Sequence, residues 1–315
     1  MNKVISLMGP TASGKTDLAI LLSNKFNIEI ISVDSVMFYK EFNIGSAKPD
    51  QNTLLKNPHR MVDILEPYES YSVAQFYSDL LIQINNIHAL NKIPLLVGGS
   101  IMYFKTFLSG GLSNLEVVSD DIRKYVSDML LKNNLDYLYK YLLKIDKISA
   151  QKIHHNDQYR IVRMIEIFLS NNKKPSDILK KSFRNARDFD YLNLSVIPDN
   201  RKDVHQRIEK RLDNMLKVGF LDEVTKIKTM HSGLSLPAMS TIGYKQADEY
   251  LKNKISLDVM KSSILSSTRQ LAKRQITWLR HLDATTVYTF ADYDNIKSRL
   301  DFFLDRAQSH GVEKL

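Results

Sequence analysis

The chain has 315 residues, 43% of them hydrophobic, and a formal net charge of +9. That length and apolar content suit about two globular domains and exclude a disordered chain, and the absence of cysteine excludes disulfides, thiol catalysis and thiolate metal sites. The positive balance points to a polyanionic partner, because Lys and Arg that neutralise phosphates release counterions.

In chain order, the run from Met1 to about Gly111 alternates short apolar stretches with helical patterns. The stretch "VISLM" reads as a strand, Asp17 to Lys25 as a helix, "IEIIS" as a second strand, Val73 to Leu90 as a helix, and "IPLLV" as a third strand. Such βαβ alternation implies a parallel sheet with its ligand site at the carboxyl ends of the strands. From about Ser113 the composition shifts to Lys-, Asn-, Leu- and Tyr-rich amphipathic helices, and from Asp199 to about Leu282 a helical pattern resumes, with a short strand and a last helix beyond it. The expected fold class is α/β, a phosphate-loop NTPase-like parallel sheet core with an all-helical insertion domain. The expected divisions are 1–112, 113–198 and 199–315. The apolar run Val4 to Met8 is shorter than a secretory hydrophobic region, and no stretch approaches a membrane span. A cytoplasmic monomer with no membrane partner is the expectation.

Gly9, Pro10, Thr11, Ala12, Ser13, Gly14, Lys15 and Thr16 fit the pattern G-x-x-x-x-G-K-[ST], and they lie between a strand and a helix as that pattern requires. Glycines let backbone N–H groups turn inward around an anion, the lysine reaches terminal phosphates, the Thr16 hydroxyl can ligate Mg²⁺, and the helix N-terminus adds its dipole. These features specify a polyphosphate and a metal but leave open whether it is ATP.

Asp34 directly follows the second strand and should project toward the phosphates. It reads as a carboxylate holding Mg²⁺ through water, as a general base, or as a cap of the following turn. The third strand ends in Gly98, Gly99 and Ser100, where phosphate-loop hydrolases place the Asp that secures magnesium. Paired glycines there fit a ligand lying against the backbone, with the Ser100 hydroxyl offered to it, or a plain packing turn. Arg207 and Arg211 lie one helical turn apart; they could clamp a diphosphate, but spacing alone favours a solvated pair balanced by Glu209 or Asp213.

Seven blocks, "GPTASGKT", "DSVMFYKEFNIGSAKP", "HRMVDILEPYESYSVAQFY", "PLLVGGSIMYF", "RLDNMLKVGFLDEV", "STIGYKQ" and "TRQLAKRQITWLR", resemble in content and order the bacterial tRNA dimethylallyltransferases. The resemblance spans roughly Met1 to His281 and is weakest through the helical insertion. It implies that the loop from Gly9 to Thr16 holds dimethylallyl diphosphate with Mg²⁺ rather than a nucleoside triphosphate. It further implies prenyl transfer to N6 of the adenosine immediately 3′ of the anticodon, with release of diphosphate. Residue by residue, the resemblance makes Asp34 the general base, puts Ser100 where the family usually has Thr, and gives Arg211 the developing charge to stabilise. The segment Asp34, Ser35, Val36 and Met37, together with Ser100, and the stretch Gln158, Tyr159, Arg160, Ile161 and Val162 would touch the tRNA. Arg269, Lys273 and Arg274 are expected along the same anionic channel. Met37 replaces the family's usual Gln, and Ile101 and Met102 replace a Gly-Leu pair, which bears on the choice of flanking base. Two rival readings are a small-molecule or nucleotide kinase on the same fold and a non-catalytic RNA-binding protein.

Overall fold

The structure, a computed structural model, describes residues 2–111, 118–179, 189–282, 286–289 and 292–305. It consists of two units, one formed by residues 1–105 and 188–315 and the other by residues 106–187.

The larger unit begins with β1 (Lys3–Met8), α1 (Lys15–Ser23), β2 (Ile28–Val33), α2 (Gln51–Lys56), β3 (His59–Arg60), α3 (Val73–Ala89), β4 (Ile93–Gly98) and α4 (Ile101–Leu108), within which the unit boundary falls. The smaller unit holds α5 (Asp120–Lys132), α6 (Leu135–Ile145), α7 (Lys147–Gln151), α8 (Gln158–Asn171) and α9 (Pro175–Ile178). The chain then returns to the larger unit as β5 (Asp190–Val196), α10 (Arg201–Lys217), α11 (Phe220–Met230), a 3₁₀ turn Pro237–Ser240, α12 (Tyr244–Leu251), α13 (Leu257–Arg280), β6 (Thr286–Tyr288) and α14 (Tyr293–Asp305).

The six strands form one parallel sheet in the order β3-β2-β4-β1-β5-β6. Every residue of β1, β2 and β4 is buried, as expected of central parallel strands covered on both faces, which is why they read as mostly apolar stretches without alternation. Leu7 and Val97 pack with Leu18 and Leu22 of α1 and with Leu300 of α14 in one core. The helix α3 starts at a capping box in which Ser72 accepts from the Gln75 amide and the Gln75 side chain accepts from the Ser72 amide.

The parallel sheet and the three long N-terminal strands agree with the sequence reading. The division at 198 does not hold, because β5 pairs with β1 along its whole length, from Lys3 opposite Asp190 to Met8 opposite Ser195. Residues 188–198 therefore belong to the sheet unit, and the insertion starts near 106 rather than 113. Part of the expected 113–198 domain, residues 113–117 and 180–188, lies outside the described residues. Within the smaller unit, Val126, Leu138, Leu142, Ile161 and Ile165 form a separate apolar core, so it is helical as expected. Among the described residues, no helix is long and apolar enough to cross a membrane.

Candidate active site

Strand register decides where chemistry can gather. Met8 and Val33 both lie opposite Gly98, so β1, β2 and β4 end at one level and the loops that follow them emerge on one edge of the sheet. The Gly9 amide donates to the Gly98 carbonyl at 3.2 Å, which continues the pairing one residue into the phosphate-type loop. Gly98 itself must be glycine, since a Cβ there would collide with the Val33 carbonyl.

In the loop, Gly14 takes a left-handed conformation, φ +83°, and opens α1. The first N–H groups of that helix have no acceptor within it and carry the positive end of its dipole. The Ser13 Oγ is buried with no hydrogen-bond partner among the described residues. Pro10 has no N–H, and its carbonyl accepts from the Ser13 amide (3.3 Å) and from Lys15 Nζ (3.1 Å), so Pro10 shapes the loop and offers an anion no donor. Burial pushes the Lys15 ammonium down to about 8, with Asp34 acting to raise it and Arg211 to lower it further.

Arg211, from α10, is half-buried, and its guanidinium donates to Thr11 Oγ1 and to the Ser46 carbonyl, both at 3.3 Å. The solvated reading from helical spacing is thus overturned for this residue, whereas Arg207, one turn earlier, is exposed. Burial lowers the Arg211 pKa and the Asp34 carboxylate opposes the shift; an arginine keeps its charge regardless.

Asp34 is half-buried at the end of β2. Its Oδ1 accepts from the Val36 amide at 2.9 Å, so the turn-capping role is real, and it fixes the carboxylate's orientation while leaving Oδ2 outside that bond. Ser100 Oγ accepts from the Ser35 amide at 3.3 Å, tying the end of β4 to the Asp34 loop. Met37 Sδ accepts from Ser32 Oγ at 3.7 Å.

These groups open into one cavity of about 750 Å³, whose walls include Thr16, Lys15, Asp34, Met37, Ser100 and Arg211. Arg274 also lines it, but Arg269 and Lys273 do not; they border a separate depression with Arg201 and His205, so the expected single channel is divided. In the smaller unit, Gln158, Tyr159 and Arg160 are exposed on the first turn of α8, capped by Asp157, whose side chain accepts from the Arg160 amide. Ile161 is fully buried and Val162 packs beside it, so those two support the turn instead of presenting a surface.

Two further residues of the site act through partners remote in the sequence. Gln275 of α13 accepts from the Thr11 amide at 2.9 Å and donates to the Gly99 carbonyl at 2.8 Å. Glu223 of α11 accepts from the amides of Asn43, Ile44 and Gly45 and from the Tyr244 hydroxyl, and so holds the loop that presents the Ser46 carbonyl to Arg211. A usable signal existed for Gln275: Ala272, Gln275 and Leu279 share the buried stripe of α13, where a polar side chain needs a partner.

Among the described residues no cluster of three or more His, Asp or Glu could hold a metal unaided. Thr16 and Asp34 both line the cavity, and the oxygen donors they offer are of the kind a hard divalent cation takes beside phosphate and water.

The chain matches the IPP transferase family model over residues 37–282. It is 40% identical over 306 residues to a tRNA dimethylallyltransferase of Coxiella burnetii, covering 96% of this chain and 98% of that protein. It is 42% identical over 290 residues to the enzyme of the same name from Legionella pneumophila, covering 91% and 92%. A solved structure of a eukaryotic dimethylallyltransferase acting on tRNA superposes with a TM-score of 0.78 at 28% identity, over 93% of this chain and 75% of that one.

Proposed function

We propose, for a chain that belongs to the IPP transferase family, that it moves a dimethylallyl group from dimethylallyl diphosphate to N6 of the adenosine immediately 3′ of a tRNA anticodon. The N6 lone pair attacks C1 of the prenyl group, the C1–O bond breaks with its electron pair leaving on diphosphate, and the N6 proton passes to Asp34. The target base must leave its stack to reach the cavity, which costs least in a loop.

Lys15 and the amides from Gly14 to Thr16, where α1 opens, bind the diphosphate. Arg211, already oriented by Thr11 and Ser46, stabilises the charge that develops as the bond breaks; a preorganised donor of this kind contributes on the order of 3–4 kcal/mol. Asp34 is oriented by the Val36 amide to receive the proton, and the Ser100 hydroxyl borders the reacting region. Thr16, with the diphosphate oxygens, would hold Mg²⁺, which when bound neutralises charge on the leaving group. The exposed turn Gln158–Arg160 offers a surface for the RNA.

The observation that carries this reading is the one cavity into which Lys15, Arg211 and Asp34 all open, in a fold whose β4 ends in Gly98, Gly99 and Ser100, where a phosphoryl-transfer enzyme would place a metal-securing carboxylate. The test is a single-turnover assay with labelled dimethylallyl diphosphate, Mg²⁺ and an anticodon stem-loop bearing adenosine or guanosine at the target position, read by RNA mass spectrometry. A prenyl mass on the adenosine loop alone supports the proposal; no transfer, or phosphoryl transfer from ATP, overturns it. In the same assay Asp34→Ala should slow transfer by about a hundredfold while leaving RNA affinity near normal.

A further inference from the structure

An in-line displacement works only if nucleophile, carbon and leaving group stay aligned, so the part of the protein that holds the diphosphate must be registered against the part that holds the base. In this chain the two parts come from different strand ends. The phosphate-binding loop follows β1, whereas Asp34 follows β2 and Ser100 follows β4. Hydrogen bonds, linked by two steps along the backbone, join them. Arg211 donates to Thr11 Oγ1, the Thr11 amide donates to Gln275 Oε1, and Gln275 Nε2 donates to the Gly99 carbonyl. From the next residue, Ser100 Oγ accepts from the Ser35 amide, and the Val36 amide donates to Asp34 Oδ1.

We infer that Gln275 is the positioning residue that registers the leaving-group side of the cavity against its base side. It is the only member of this run that comes from α13, and it is 8% exposed, with its amide oxygen and nitrogen engaged one to each side. An amide is the group this place needs: Oε1 must accept and Nε2 must donate, which a carboxylate, a hydroxyl or a lysine cannot do with the same reach. The site also admits little slack, since a Cβ on Gly99 would come within 2.6 Å of Gln275 Nε2. Gln275 borders the cavity, but both ends of its amide are taken up by the protein, so its loss should appear in the bond-making step rather than in binding.

The inference rests on the prenyl-transfer reading, and its test separates the two. Gln275→Met keeps the volume and loses both hydrogen bonds, and Gln275→Glu keeps the acceptor for Thr11 and loses the donor to Gly99. The fraction of active sites is titrated by burst amplitude, and the single-turnover rate per active site is measured beside the dissociation constants for dimethylallyl diphosphate and for the stem-loop. The expected result is a ten- to hundredfold slower rate per active site in Gln275→Met, a smaller loss in Gln275→Glu, and both dissociation constants within about threefold of wild type. A purely structural role would lower the active fraction or the melting temperature and leave the rate per active site unchanged, and that result overturns the inference. Losses confined to either dissociation constant overturn it as well. If Gln275→Met does not fold, Gln275→Glu decides by the same criteria. Transfer absent in the wild-type protein would instead defeat the reading itself, and the inference with it.

Discussion

Lys15 shows how much a single side chain can reveal when its surroundings are known. Its ammonium is displaced toward neutrality by burial, to about 8, and in the ligand-free chain it donates to the carbonyl of Pro10. An anion placed against it would favour the charged form and raise its pKa again. Below about pH 8 the lysine is already protonated, so diphosphate binding takes up little proton; above it, binding must recharge the lysine. Affinity for dimethylallyl diphosphate should therefore hold steady below pH 8 and fall above it by up to tenfold per pH unit. Titration calorimetry at pH 8.5 in two buffers of different ionisation enthalpy should show uptake of roughly three quarters of a proton, against about a tenth at pH 7. In Lys15→Met the uptake should vanish, and equal uptake in the variant would assign the proton to another group. The same displacement opposes folding while the lysine is charged, so this residue's penalty is full below pH 8 and relaxes as pH rises toward its unfolded value.

What the sequence could yield at this scale varied from residue to residue. The loop Gly9 to Thr16 was legible because its spacing is local and its neighbours on both sides are regular elements. Arg211 was not legible from spacing, because periodicity gives a face but not what that face meets; here it meets Thr11, 200 positions away. Gln275 and Glu223 act through partners similarly remote, so a window of sequence can mark Gln275 as a buried polar residue but cannot name the partners of either.

Among the elements, β1, β2 and β4 announce themselves as short, mostly apolar stretches because both faces are covered, although Ser6 in β1 and Glu29 and Ser32 in β2 interrupt them. The strand β5 reads as part of the insertion because it follows a helical, Lys- and Asn-rich stretch, and its partner β1 lies at the far N-terminal side of that insertion, Lys3 opposite Asp190. β3, two residues long, gives no period to read. Beside its ladder with β2 it has a charged tie: Glu29 of β2, 7% exposed, accepts from Arg60 of β3 at 2.5 Å and also from Lys92 just before β4 at 3.0 Å. Burial alone would raise the Glu29 pKa, but the bonds to Arg60 and Lys92 outweigh it and hold the carboxyl below its usual range. Its stabilising contribution is thus present above the ordinary glutamate pKa and lost as pH falls through the lowered one. Glu29→Gln should cost about 1–3 kcal/mol at pH 7, a figure discounted because Arg60 and Lys92 are partly exposed. Urea denaturation of wild type and variant should show that gap closing as pH drops below about 4. A gap of the same size at both pH values would mean that packing, not the ion pairs, holds β3 in place.

At the scale of the whole molecule, charge is unevenly distributed. Residues 106–187 carry 15 Lys and Arg against 9 Asp and Glu, so about two thirds of the net +9 falls in roughly a quarter of the chain. The cavity, by contrast, is walled entirely by residues of the larger unit. This division predicts two kinds of anion binding with different responses to salt. A diphosphate in the cavity meets a few preset donors, whereas RNA on a broad basic surface is held by many exposed cations whose counterions are released on contact. Stem-loop affinity should fall steeply and linearly on a log–log plot against salt. With about six phosphate contacts and a coefficient between 0.7 and 0.9 per contact, the loss between 50 and 200 mM is roughly 300- to 2000-fold. Arg160→Ala, on the exposed first turn of α8, should lower the magnitude of that slope by about one contact's worth and leave dimethylallyl diphosphate affinity unchanged. Fluorescence anisotropy across a salt series measures both quantities with one labelled stem-loop and an unlabelled diphosphate competitor. A slope unchanged in Arg160→Ala would remove the α8 turn from the RNA surface. Its neighbour Tyr159, 82% exposed and able to stack on an unpaired base, would then be left without a reason for its exposure.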